Sequence, residues 1–193
     1  WDEIRFDVAQ PKMPWTPLGD APPGVGGQDP KVFPLGPDLF LVLAGSHFTA
    51  ARGGLNPVNR ADAYLAQLSS TSSSITWSPV RICGKPHTNL HGAFCAVFGD
   101  GVVADRIVCF GGGSHVAALN LVSVLDLKKL HTDAEGTWAR VSGSPDMQDT
   151  YHLPNSDSSP SAAAPTPRYA GSAVSYHGQL VTVCGRSGRH FFG

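Results

Sequence analysis

Residues 92–112, GAFCAVFGDGVVADRIVCFGG, decide the fold. A β-rich run from Gly92 to Phe98 meets the turn signal Gly99-Asp-Gly101, and a second run from Arg106 ends in the small pair Gly111-Gly112. Two apolar runs across a Gly-Asp-Gly turn read as a hairpin. Working outward, Val122 to Leu127 forms a third run carrying Asp126, and Thr137-Trp138-Ala-Arg-Val a fourth. Four strands in this order make one unit.

The same order recurs upstream. Lys31 to Leu35, the turn Gly36-Pro-Asp38, Leu39 to Ala44-Gly45, Ala63 to Leu68 with Gln67, and Thr76-Trp77-Ser-Pro-Val repeat it. Half units flank the two complete ones: Ile4 to Val8 and Trp15 to Leu18 match third and fourth strands. Tyr169 to Tyr176 and Leu180 to Cys184, before Gly185-Arg186, match first and second strands. The tryptophans Trp15, Trp77 and Trp138 are spaced 62 and 61 apart. Taken alone, Ala61 to Leu68 has the alanines and leucines of a helix, but its aligned copy Leu121 to Leu127 is strand-like, and repetition outweighs propensity. Lys129 to Glu135 leaves room for a helical turn in a loop. The expectation is an all-β chain of four-stranded antiparallel sheets.

A unit of roughly 50 residues with a glycine doublet, an Asp-bearing strand and then a Trp resembles the kelch repeat. Gly111-Gly112, Asn120, Asp126 and Trp138 stand in kelch-like order, and Pro167-Arg168-Tyr-Ala-Gly171 looks like the opening of a further unit. The resemblance implies a β-propeller of about three blades' worth, in the superfamily of the galactose oxidase central domain. Residues 1–18 would be the last two strands of a blade, 31–82 and 92–142 whole blades, 168–186 the first two strands of another, and 143–167 a disordered inter-blade insertion. The copies depart from the pattern at Ala44-Gly45, Gln67 and Gly185-Arg186. Another all-β sandwich is the competing architecture.

In a blade neither apolar face can cover itself, so neighbours stack and the fourth-strand Trp fills the gap. Trp15, Trp77 and Trp138 are therefore expected in the core, with Gly45, Gly111, Gly112 and Gly185 permitting close backbone approach. Three blades' worth is fewer than the four to eight of a typical propeller. Either further blades of a longer chain or a second copy of this one would close the ring. Trp1 and Phe191-Phe192-Gly193 look like internal sequence, so natural termini are expected beyond them.

Composition narrows function. The 193 residues carry 14 basic and 15 acidic side chains, for a formal charge of −1 and only 15% charged residues. A nucleic-acid partner would need a basic surface, and none is evident. No apolar run approaches the ~20 residues of a membrane helix, so no membrane partner is expected. Cys83, Cys95, Cys109 and Cys184, spaced 12, 14 and 75 apart, have neither the pairing nor the His partners of a zinc site; Cys95, Cys109 and Cys184 each sit in an apolar run and, a disulfide being the alternative, read as buried free thiols. That favours a reducing, intracellular compartment. His87 and His91 are four apart but bracketed by Pro86 and Gly92, which argues against a helical metal site. No cofactor is expected.

Loops between second and third strands, and between units, would leave one face of a propeller. These are Gly19 to Pro30, Ser46 to Val58, Cys83 to His91, Gly113 to Leu119 and Gly143 to Pro167. Loops on a rigid scaffold are where binding concentrates. Arg52, Asn59, His91, His115 and Arg168 are the candidate partner-binding residues, the arginines because a guanidinium grips a carboxylate at two points. The leading expectation is a non-catalytic scaffold binding a protein or peptide through this face. The alternative is a fragment of a propeller-based enzyme, a metal oxidase or sugar-processing enzyme with catalytic residues partly elsewhere. For that reading the chain offers only Tyr151-His152 and Tyr176-His177.

Overall fold

The computed structural model describes residues 20–22, 25, 28–51, 54–59, 61–69, 71, 74–86, 90–99, 103–113, 118–140, 167–187 and 190–192. The expected strands Ile4 to Val8 and Trp15 to Leu18, the segment 143–166, and Trp15, Arg52, His87, His115 and Tyr151-His152 lie outside them.

The chain is all-β, built of antiparallel sheets. The first sheet has β1 (Lys31–Pro34), β2 (Leu39–Leu43), β5 (Ala63–Leu68) and β6 (Ile75–Pro79) in the order β1-β2-β5-β6. Alternation drives it: Phe33, Leu41, Leu43 and Ala63 share one buried face by register. Ala61 to Leu68 accordingly holds a strand, because burying this alternating face outweighs local helix propensity. Between β2 and β5 the chain makes a separate hairpin, β3 (Ser46–Ala51) with β4 (Gly54–Asn59). The expected loop Ser46 to Val58 is thus corrected to a ladder of backbone pairs.

The second sheet repeats the order with β8 (Ala93–Gly99), β9 (Ala104–Gly111), β10 (Val122–Asp126) and β11 (Glu135–Arg140). The turn of helix expected near Lys129 is α1 (Leu130–Asp133), anchored by buried Leu130 and ended by Ala134 in a left-handed conformation, φ 51°. A fifth strand, β7 (Arg81–Cys83), joins β11 in parallel. Ile82, expected at the end of the first unit 31–82, pairs with Gly136 of the second sheet. One residue past β6, the chain instead crosses to the outer edge of the next sheet, where Arg81 donates its N–H to Ala134 O at 2.9 Å.

A third, two-stranded sheet pairs β12 (Ser172–Tyr176) with β13 (Gln179–Val183), and a short hairpin follows from β14 (Arg186–Ser187) and β15 (His190–Phe191).

The sheets stack. Phe33, Leu41, Leu43 and Ala63 of the first form one apolar cluster with Ile107, Cys109, Leu125, Leu127 and Leu130 of the second, and Trp138 packs against it. Leu41, Ile107 and Leu125 are fully buried, each worth about 1.5–3 kcal/mol of apolar burial. The opposite face of the second sheet carries Phe94 and Phe110, rings 6.1 Å apart, and turns toward the third. There Phe94 sits so close to Gly171 and Gly185 that a methyl group on either would overlap its ring. Val32, Val42, Ala66 and Trp77 line an apolar groove of about 300 Å³ on the first sheet, while Val174, Tyr176, Val181 and Val183 lie exposed on one face of the third.

Candidate functional site

Each of the strands β1, β8 and β12 is the edge of its sheet. The three edges run beside a shared groove of about 530 Å³, lined by Asp29 to Pro34, by Ala93 and Cys95 to Val97, and by Gly171 to Ser175. Edge strands present backbone donors and acceptors without a ladder partner, so such a wall can bind an extended chain by main-chain hydrogen bonds.

The same backbone device closes one end of this groove in all three sheets. Continuing each first-to-second-strand register places Asp29 opposite Gly45, Gly92 opposite Gly112 and Ala170 opposite Gly185. All six have positive φ: 54°, 65° and 57° on the first-strand side, 75°, 82° and 100° on the other. Just beyond the crossed pair the chain pairs again, Gln28 with Ser46 and Tyr169 with Arg186, while Gly113 donates its N–H to His91 O at 3.0 Å. A side chain at Gly45 would drive a Cβ to 2.4 Å from Gln28 O. Backbone or ring atoms crowd Gly111 and Gly185 as well, at Arg168 O and Phe94, and the register shifts the phase of one doublet. The third copy of the doublet is Cys184-Gly185, Cys184 being left-handed at φ 59° and matching Gly111 at 74°; Gly185-Arg186 lies one residue late.

These positions also connect successive sheets. Gly92 N–H donates to Asp29 Oδ2, and Ala170 N–H donates to Gly92 O at 2.8 Å. The Lys31 ammonium holds the same Asp29 carboxylate at 2.9 and 3.0 Å, and His91 Nδ1 lies 3.9 Å from it. With Lys31 at 16% and Asp29 at 31% exposure, the pair is shielded from the screening that makes exposed ion pairs worth little. The Asp29 carboxylate, engaged by Lys31 and by Gly92 of the next sheet, acts as a staple between sheets.

Arg168 reaches the same end. Its N–H donates to Leu119 O at 3.0 Å, its carbonyl accepts from Gly112 at 3.0 Å, and its guanidinium lies over the Phe192 ring at 4.3 Å. Beside it the Arg186 guanidinium lies 4.9 Å over Tyr169. Of the residues singled out from sequence, His91 and Arg168 are thus brought to neighbouring backbone positions around Gly112 and Gly113. Asn59 ends β4 opposite Ser46, within a ladder rather than a loop. Tyr176 and His177 meet as an edge-to-face pair, 4.2 Å between centroids, at the exposed β12–β13 turn. Asp29 and Lys31 were missed. Asp29 fell at the end of the expected loop Gly19 to Pro30 and Lys31 at the start of a strand, and only the register of β1 against β2 reveals that Asp29 matches Gly92.

No protein-family model matches the chain, and no curated protein matches it.

Proposed function

We propose that the stacked sheets are consecutive blades of a kelch-type β-propeller and that the chain is a non-catalytic scaffold, binding a protein or peptide at the end where the second-to-third-strand connections emerge. The observation that carries this reading is the threefold recurrence of the crossed left-handed pair beside three edge strands sharing one groove. Recurrent units that each lean on the next are the economy of a repeat architecture. At the loop end, Arg168 offers a planar cation beside the Phe192 ring, while Lys31 and His91 surround Asp29. A partner presenting a carboxylate to Arg168 and an extended backbone to the groove suits this surface best.

The test is recovery of partners by the full-length chain compared with an Arg168→Ala, Arg52→Ala variant, with proteins identified by mass spectrometry. Loss of a specific protein from the variant, with its unfolding midpoint unchanged, supports the reading. Identical recovery from both removes these arginines, and with them the proposed face.

A further inference from the structure

Cys95 and Cys109 face each other directly across β8 and β9. The kind of facing matters, because antiparallel partners alternate between hydrogen-bonded pairs and closer, non-hydrogen-bonded ones. On the other side of β9, Gly111 N–H donates to Leu121 O and Leu127 N–H to Asp105 O. Odd-numbered residues of β9 therefore spend their backbone groups on β10, through an unbroken register from Phe110 to Arg106. Cys109 belongs to that set, so its pairing with Cys95 is of the non-hydrogen-bonded kind. Such partners have Cα atoms about 4.5 Å apart and side chains on one face, within the roughly 4.4–6.8 Å a disulfide spans.

Both side chains lie on the face of the sheet turned toward the first, and the Cys95 Sγ lies 3.9 Å from its acceptor Ala93 O. Both are free thiols, and they differ in access. Cys109 is fully buried in the cluster between the first two sheets. Cys95 is half-buried and lines the groove between β1 and β12, which admits a small reagent. The Lys31 ammonium acts on Cys109 in the sense that favours its thiolate, against the larger opposing effect of burial. Cys83, in β7, and exposed Cys184, beyond β13, have no cysteine opposite them in any ladder.

We propose that Cys95 and Cys109 form a reversible cross-strand disulfide, made by exchange with a low-molecular-weight disulfide that enters through the groove. The Cys95 thiolate attacks one sulfur of the reagent and expels one thiol, leaving a mixed disulfide on Cys95. The Cys109 thiol then loses its proton and attacks the Cys95 sulfur, expelling the second thiol. Two electrons and two protons leave the protein, and the reagent is reduced to two thiols. Cys95 is the entry thiol and Cys109 the resolving one, and the bond withdraws the Cys95 thiol from the groove wall.

The full chain is incubated with oxidised glutathione, its remaining thiols are alkylated in denaturant, and the products are mapped by mass spectrometry. The expected result is a peptide containing Cys95 joined to one containing Cys109, lighter by two hydrogens and separated by dithiothreitol. A Cys109→Ser variant should instead retain one glutathione on Cys95. Alkylation of both residues in the treated wild type, a bridge from either to Cys83 or Cys184, or glutathione persisting on wild-type Cys95 would each overturn the proposal. The wild-type map decides the matter even where the serine variant does not fold.

Discussion

Gly92 donates its backbone N–H to the side chain of Asp29, a bond between the second sheet and the approach to the first. Asp29 also holds Lys31 and has a left-handed backbone that Asp and Asn tolerate better than most residues. Asp29→Ala should therefore cost about 3 kcal/mol in urea unfolding, from an orphaned N–H, a stranded cation and backbone strain. Asp29→Asn, which keeps an acceptor and the backbone preference, should cost about 1 kcal/mol. Equal losses would show that the carboxylate charge, not the acceptor, is what matters.

Gly45 and Gly178 share φ 75° but not their surroundings. At Gly45 an added Cβ meets Gln28 O at 2.4 Å, whereas at Gly178 nothing lies within 4 Å. Gly178→Ala should cost about 1 kcal/mol, the left-handed penalty alone. Gly45→Ala should cost about 3 kcal/mol or more, since backbone has to move as well. Thermal unfolding of the two variants side by side measures the difference.

Trp138 and Trp77 occupy the same place in their sheets with different company. Trp138 packs on the cluster between the first two sheets, so Trp138→Ala should cost about 3 kcal/mol. The Trp77 Nε1 atom is buried with no hydrogen-bond partner among the described residues, and the indole meets Tyr64 edge-on at 6.3 Å. Trp77→Phe keeps a ring there and deletes the unpaired donor, so it should cost less than about 1 kcal/mol. Chemical denaturation of both checks this contrast.

Burial pushes the Cys109 thiol well above its ordinary value of 9.0, with the neighbouring Cys95 adding to the effect and Lys31 opposing it. Below pH 9 the thiol is protonated whether the chain is folded or not, and stability is unaffected. As pH rises past 9 the unfolded chain releases this proton while the folded chain keeps it, so stability falls by up to about 1.4 kcal/mol per pH unit until the folded thiol ionises. In urea titrations between pH 8 and 10.5, Cys109→Ala should show a shallower alkaline decline than wild type. Parallel declines would contradict the buried-thiol origin.

The strands of the two complete units were legible because Gly-containing turns, alternation and a tryptophan recur together at Trp77 and Trp138. The hairpin from Ser46 to Asn59 was not, since His47, Arg52, Gly53, Gly54 and Pro57 carry loop chemistry and the pairing rests on backbone bonds that leave little trace in side-chain pattern. Arg81–Cys83 is too short to show a period, and its partner Glu135 lies 54 positions away. The crossed left-handed pair was half visible, as glycines at 45, 112 and 185. Its other half is Asp29, Gly92 and Ala170: Asp favours that conformation only weakly and occurs far more often outside it, and nothing about Ala signals it. Within the candidate site, His91 and Arg168 stood out by residue type, whereas Lys31 looked like an ordinary strand residue until Asp29 was found beneath it.

Only Val80 separates β6 from β7, and its N–H returns to Ala63 O at 2.9 Å. One continuous stretch of chain is thereby sewn into the rims of two successive sheets. Neither can peel away without dragging the other, so the first eleven strands other than the β3–β4 hairpin should melt as a single cooperative block. Among the described residues the pair β12–β13 has no such thread, and its amide protons should exchange before those of the block.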